Sequence, residues 1–357
     1  MSKALNIFGT LVTKVVNQNL CSYCGTCVAS CPVNVLALTD EEKPTIRGVC
    51  ALCQVCYYSC PRIELPVADI ERAVFGRARN PEEKTSGIVI GSYSARSKDQ
   101  EILRICQDGG VATSIMKYAL DQKLIDCAVV TKTSGEKAWR PFPFVATEVK
   151  QLLEAAGTKY TLGGTTAGVG DAALGYPNGR IGMVGLPCQI EGLRRMQTSS
   201  LGNTKMAEKV VLTVGIFCSE SYYYSKLVNE YLRDKHGIDP SQVTRMGVKK
   251  NRFKVSAGER VLLDVPVAEV DVYMREPCRK CIDYTSELAD ISVGGVGSPE
   301  GWNTVITRTK RGEEVFKSAC DVGLFEWKSL SDVKPGMALV LKISEKKKTR
   351  DASAYIR

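Results

Sequence analysis

Cys21, Cys24, Cys27 and Cys31 stand before Pro32, and Cys50, Cys53, Cys56 and Cys60 stand before Pro61. Each run reads C-x2-C-x2-C-x3-C-P, and gaps this short force the backbone to wrap round whatever the sulfurs hold. The pattern is that of the bacterial two-cluster ferredoxin, in which the fourth cysteine of each run ligates the other run's [4Fe–4S] cluster. It predicts one cluster on Cys21, Cys24, Cys27 and Cys60, and another on Cys50, Cys53, Cys56 and Cys31. Paired zinc ribbons would put a long gap between their CxxC pairs and would not explain two runs ending in proline.

The chain has 357 residues and fifteen cysteines but one histidine, His236. Disulfide scaffolds are short secreted chains without strict two-residue gaps, so metal ligation is the better reading of the thiols. With so little imidazole, an all-thiolate site means iron–sulfur or structural zinc. His236, in "RDKHGID", is expected to cap a helix beside Gly237. No apolar run approaches the roughly 18 residues of a membrane span, and the start lacks a secretory pattern, which predicts a cytoplasmic protein. The formal charge of +9 does not argue for nucleic acid. Three four-thiolate cubanes of roughly −2 each would leave about +3.

Beyond the double run, residues 66–86 carry Pro66 and Pro81 and read as a linker that partly wraps the next domain. From Gly87 strands and helices alternate. "GIVIGSYSA", "DCAVVT", "RIGMVGL", "KVVLTVGIF" and "ADISVGG" read as strands. "SKDQEILRIC", "VATSIMKYALDQK", "VKQLLEAAG", "IEGLRRMQ", "YYYSKLVNEYLRDKHG" and "RGEEVFKSACDVG" read as amphipathic helices. This alternation predicts an α/β (α+β) domain over 87–340 behind a small ferredoxin-like domain over 1–65. The lysine-rich end, 341–357, reads as a charged, solvated tail.

Two consecutive strands each deliver a cysteine to their carboxyl edge, Cys188 in "GLPCQ" and Cys218 in "FCSE". Open α/β sheets build their sites at that edge. Cys278 and Cys281 in "PCRKC" complete a four-thiol set, which by spacing alone admits a third cluster, structural zinc or unrelated buried thiols. Cys106, Cys127 and Cys320, among apolar neighbours, are expected in the core. "CQDGGVATS" puts Gly109 and Gly110 before a helix, where bare N–H groups suit an anion. "AAGTKYTLGG" and "VGGVGSPEGWNT" are two further glycine-rich stretches, and none of the three fits the G-x-G-x-x-G dinucleotide pattern.

At "YSARSKDQEILRICQDGGVATSIMKYAL", "AAGTKYT", "GLPCQIEGLRRMQ", "VGIFCSE" and "CRKCIDYTSELADISVGGVGSPEGWNTVITRT" the chain resembles the β subunits of coenzyme F420 hydrogenases and dehydrogenases. The likeness spans about Gly87 to Gly336. The hydrogenase β subunit lacks the double cysteine run, so the chain looks more like family members with an N-terminal ferredoxin module. The resemblance implies an F420-dependent oxidoreductase subunit with bound FAD, F420 as substrate and a [4Fe–4S] cluster on Cys188, Cys218, Cys278 and Cys281. With the double run, that makes three clusters. It implies FAD contacts at Gln107, Asp108, Gly109, Gly110, Thr113, Gly157, Thr158, Lys159, Tyr160, Ser298, Gly301, Trp302, Asn303 and Thr304. Hydride would pass between F420 and FAD with no side-chain nucleophile, and single electrons would pass along the clusters.

The partner implied is a larger redox complex met through the ferredoxin domain, of formate dehydrogenase, hydrogenase, F420H2 dehydrogenase or heterodisulfide reductase type. An anionic F420 tail calls for a basic entrance, with Arg194, Arg195, Lys249, Lys250 and Arg252 as candidates. Two rival readings remain open: a flavin and iron–sulfur subunit with another reductant or acceptor, and a non-catalytic electron-transfer subunit.

Overall fold

The computed structural model describes residues 5–350. An eight-stranded mixed sheet organises the larger part of the chain. Its centre is four parallel strands, β4 (Cys127–Thr133), β6 (Ile181–Gly185), β7 (Val210–Ile216) and β11 (Ile291–Gly294). Antiparallel strands extend it on both sides. β5 (Pro141–Ala146) lies beyond β4, while β12 (Asn303–Thr307), β3 (Gly91–Ser97) and β13 (Phe325–Ser329) follow β11 in that order. Remaining strands are β1 (Leu36–Leu38) and β2 (Pro44–Ile46), a hairpin, and β8 (Arg245–Lys249), β9 (Arg252–Ala257) and β10 (Arg260–Pro266), a separate meander.

Side chains alternate across the sheet, as a two-residue period requires. Ala128 and Val130 join a core with the helices Val111–Asp121 and Lys310–Asp321. Cys127 and Val129 point the other way, into a core with the helices Val67–Phe75, Ala167–Gly175 and Pro187–Thr198. Both faces are covered, which is why the central strands read as continuous apolar runs. A third core holds the meander against the helix Ser225–Lys235, whose end His236 closes next to Gly237 at φ +63°. That is the capping place expected for the histidine.

The two cysteine runs fold alike. Tyr23 and Gly25 bracket Cys24, Leu52 and Gln54 bracket Cys53, and all four have positive φ. A four-residue helix follows in each, Thr26–Ala29 and Val55–Tyr58, carrying the third cysteine. The module packs on its own core of Phe8, Leu11, Val15, Leu36, Tyr57 and Ile63.

Backbone meets backbone where this module joins the sheet domain. Thr166 N–H donates to the Cys24 carbonyl at 3.1 Å. A Cβ on Gly25 would stand 2.3 Å from the Gly164 oxygen, and one on Gly192 would stand 1.9 Å from Thr26 Oγ1. Buried ion pairs reinforce the join: Arg275 with Glu42 at 3.1 Å, and Arg62 with Glu191 at 3.8 Å.

Two expectations change. Residues 66–86 do wrap the sheet domain, but as the ordered helix Val67–Phe75 with Ile70 fully buried, not as bare linker. The reading of 341–357 as a solvated tail fails over its described part. A helix runs Gly336–Lys348 across the expected boundary at 340, with Val340, Ser344 and Lys347 buried. Those three lie at i, i+4 and i+7, one face of a helix, and that face docks on the protein. The rest of that segment, 351–357, and residues 1–4 of the first domain lie outside the described residues.

Candidate functional site

Twelve of the fifteen cysteines gather into three groups of four. Cys21, Cys24, Cys27 and Cys60 line one hollow, and Cys31, Cys50, Cys53 and Cys56 line another. Cys188, Cys218, Cys278 and Cys281 form the third, close enough to act on one another's charge. Cys188 stands in the first turn of the helix after β6, and Cys218 stands two residues past β7. Both are therefore at the carboxyl edge of the parallel strands. Cys106, Cys127 and Cys320 lie buried apart from these groups, as core thiols.

The groups stand in a row. Burial drives the Cys188 thiol far up, and the charge of Cys24 raises it further, ahead of Cys278 and Cys281. Burial likewise raises Cys27, with Cys24, Cys21, Cys60 and then Cys56 adding to it. The third group is thus within electrostatic reach of the first through Cys188 and Cys24, and the first of the second through Cys27 and Cys56. Cys53 is exposed, so the second group forms the outer end.

Buried cations flank the inner two groups. Arg275, 1 % exposed, offsets the charge of Cys21 and Cys278, and Arg62 offsets that of Cys21 and Cys188. Burial alone would lower the Lys347 ammonium, but Cys281, Cys218 and Cys278, with Asp283 behind them, overturn that and raise it.

Four thiols drawn together out of water, with cations beside them, fit an iron–sulfur cluster by the chemistry of their donors. In the second run Leu52 N–H also points at Cys50 Sγ, at 3.4 Å, as cluster loops do. Among the described residues no three His, Cys, Asp or Glu side chains close on a point that would hold a lone ion.

The glycine-rich stretches converge at the same sheet edge, beside β3, β12 and β11. Gly109 fits between the Ala95 carbonyl and Asn303, where a Cβ would come within 2.8 Å of each backbone. Asn303 Oδ1 accepts from Val111 N–H at 3.2 Å. The helix Val111–Asp121 starts at Gly110, φ +72°, without a side-chain cap, leaving first-turn donors for an anion. Asp108 faces Gly295, and Gln107 faces Gly247 in β8. Ser298 and Thr304 share a hydrogen bond of 2.9 Å.

Tyr160 closes this cleft from the meander side, its hydroxyl accepting from Val248 N–H at 2.8 Å and its ring edge-on to Phe253. Burial raises its phenol and also the carboxyl of Asp108, which Arg245 partly offsets. Arg245 donates to the Gln107 carbonyl at 2.5 Å. Next to Tyr160 runs Tyr222, whose N–H donates to the Tyr160 carbonyl at 2.9 Å. Tyr222 is also bridged to Met274, four residues before Cys278, so one buried residue joins the cleft wall to the segment that leads into the third cysteine group.

Several residues sit differently from what sequence suggests. Lys159 turns from the cleft and donates to the carbonyls of Ala155, Ala156 and Gly157 at the end of the preceding helix. Burial depresses it to about 8. Gly157 and Thr158 form the turn before it, near Ile105. Thr113 is half-buried in the first turn of its helix. Gly301, at φ +77°, has open space about it, and Trp302 has Lys328 over its ring.

Arg194 and Arg195 are not at an entrance. Both are buried, Arg194 bonded to Asp290, Thr213 and Leu288, and Arg195 to Glu64. Lys249 and Arg252 are exposed at the β8–β9 turn, paired with Glu300 and Asp264, and Lys250 lies between them at φ +48°. Sequence reasoning missed Arg62, Arg275, Tyr222 and Lys347. Only the 340, 344, 347 spacing gave a signal, for the last.

Comparison with known proteins matches this architecture. Residues 92–167 and 178–333 fit the N-terminal and C-terminal models of the coenzyme F420 hydrogenase/dehydrogenase beta subunit, and 14–37 fit a 4Fe-4S binding domain. The coenzyme F420 hydrogenase subunit beta of Methanothermobacter thermautotrophicus is 40% identical over 74% of this chain and 94% of its own length. An F(420)H(2) dehydrogenase subunit of Methanosarcina mazei is 30% identical over 96% of this chain and 94% of its own, so it also spans the double cysteine run. Among solved structures, a chain of the F420-reducing [NiFe] hydrogenase complex of Methanosarcina barkeri superposes with a TM-score of 0.70 at 37% identity, covering 74% of this chain and 90% of that one. The protein belongs to the coenzyme F420 hydrogenase/dehydrogenase beta-subunit family.

Proposed function

We propose that this chain is an F420-oxidising or F420-reducing subunit that exchanges hydride with the deazaflavin and passes single electrons out through three [4Fe–4S] clusters to a partner in a larger complex. The observation that carries the reading is the row of three cysteine groups whose inner end abuts the glycine-lined cleft. When bound, FAD would supply the conversion between paired and single electrons that such a row requires.

Gln107, Asp108, Gly109 and Gly110 would hold it with Tyr160, Ser298, Gly301, Trp302, Asn303 and Thr304. Thr113 stands in the first turn of the helix Val111–Asp121, and Gly157, Thr158 and Lys159 lie in the loop that leads to Tyr160. Asn303 fixes the start of the helix Val111–Asp121, so its first-turn N–H groups meet an anion already oriented. Tyr160, packed on Phe253, excludes water from the side nearest Tyr222 and Cys278. At the β8–β9 turn Lys250 offers charge for an anionic substrate tail, while Lys249 and Arg252 are engaged by Glu300 and Asp264. The clusters would be held by Cys188, Cys218, Cys278 and Cys281, then Cys21, Cys24, Cys27 and Cys60, then Cys31, Cys50, Cys53 and Cys56. The exposed position of Cys53 makes that last group the point of exchange with a partner. Cytoplasmic placement belongs to the same reading; among the described residues no helix is long and apolar enough to cross a membrane.

The test is anaerobic purification followed by metal and flavin analysis and an assay with reduced F420 and a viologen dye. About twelve irons, no zinc, one FAD per chain and dye reduction are expected. A chain loaded with iron and FAD that does not turn over F420 overturns the substrate. A chain that holds clusters but takes up no flavin is an electron-transfer subunit only.

A further inference from the structure

The helix Gly336–Lys348 ties the two halves of the site together. Its first residue donates N–H to the Gly297 carbonyl at 2.9 Å, and Val340 packs against Gly297, in the loop that lines the cleft. Midway, Ser344 Oγ donates to the Thr85 carbonyl at 2.7 Å. At its far end three cations reach the loops of the third cysteine group. Lys347 Nζ donates to the carbonyl of Cys218, Lys348 pairs with Glu287 at 2.6 Å, and Arg350 donates to the carbonyls of Ser219 and Cys278 at 3.0 and 2.8 Å.

Of these, Lys347 is the buried one, at 4 % exposure. Among the described residues no carboxylate stands within ion-pair distance of it. A charge taken out of water needs compensation; this ammonium is hydrogen-bonded to the Cys218 carbonyl, and Cys281, Cys218 and Cys278 act on it ahead of Asp283. A fixed cation favours the state with one more electron, so it makes a neighbouring cluster easier to reduce.

We propose that Lys347 sets the reduction potential of the cluster at Cys188, Cys218, Cys278 and Cys281, holding it above the value those four thiolates would give alone. The proposal rests on the reading of that group as a [4Fe–4S] site. Arg62 and Arg275 act on cysteines of both this group and the first, but each is already paired with a buried carboxylate, Glu191 and Glu42.

The experiment is an anaerobic redox titration of the full holo-protein followed by electron paramagnetic resonance, with the signal of this cluster identified by its loss in Cys218→Ser. Lys347→Met is expected to shift that signal alone by a tenfold change in the one-electron equilibrium constant, about 59 mV towards lower potential. Lys347→Arg is expected to hold it, and the other two signals to stay in place. No shift with all three clusters present overturns the proposal, as does an equal shift in all three.

Should Lys347→Met lose the cluster, Lys347→Gln, which keeps a donor for the Cys218 carbonyl, is titrated in its place and the same shift is expected. Loss from Lys347→Gln as well, with Lys347→Arg intact, assigns the residue to cluster retention and overturns the proposal. If the unaltered chain carries no iron at these four cysteines, the functional reading fails instead, and iron analysis separates the two.

Discussion

Gly25→Ala tests how firmly the ferredoxin module is fixed to the sheet domain. Gly25 has φ +93°, and its added Cβ would meet backbone, the Gly164 oxygen at 2.3 Å and the Ala167 nitrogen at 2.5 Å. Left-handed backbone costs an alanine roughly 1–2 kcal/mol, and forcing an extra methyl into a packed contact costs about 1–3 kcal/mol more. Gly76 is the control, at φ +78° with nothing within 4 Å of its Cβ position, so Gly76→Ala carries only the conformational part.

The difference, about 1–3 kcal/mol, corresponds to roughly 5- to 150-fold in rate. Because cluster loss makes unfolding irreversible, the readout is the rate of unfolding in guanidinium under anaerobic conditions, followed by circular dichroism and by iron release. Gly25→Ala is expected to unfold faster than Gly76→Ala by that factor, with iron lost from the first group early. Equal rates would show that the join is loose and that the backbone contact carries no stability.

Glu42→Gln leaves the buried Arg275 guanidinium without its carboxylate, which costs about 3–5 kcal/mol; adding Arg275→Met should recover part of that stability, read as slower unfolding of the double variant. Lys159, depressed to about 8 by burial against an ordinary value of 10.5, binds fewer protons folded than unfolded between those values. Stability should therefore rise as pH climbs from about 8 to about 10.5. Lys159→Met should remove that rise in unfolding curves taken across the range. Asn303→Ala takes away the acceptor for Val111 N–H and should lower flavin content while iron per chain stays unchanged; equal loss of both would place Asn303 in the core instead of the cleft.

The cysteine runs were legible because their information is local: spacing alone forces the loops, and the repeated left-handed residues follow from it. The parallel strands were legible because burial on both faces makes them apolar throughout. β5 was hidden by Pro141 and Pro143, which mark an edge position. β8, β9 and β10 were hidden by their charged outer face, including Arg245, Lys249, Arg252 and Arg260. The candidate cleft was legible as three glycine-rich stretches with Tyr160 among them, but Tyr222 was not, because it joins the cleft wall only through tertiary pairing with Tyr160. Lys347 shows the same limit in charge. A lysine in a lysine-rich run reads as solvated until tertiary contact turns one face of its helix inward.

The fused contact at Gly25, Gly164 and Gly192 has a kinetic consequence. Carriers on tethers deliver electrons by swinging, so their throughput falls in viscous solvent and changes with tether length. On the proposed reading the relay is built into the body of the molecule, so transit from cleft to outer face should not depend on solvent friction. Only collision with the external acceptor should slow in glycerol.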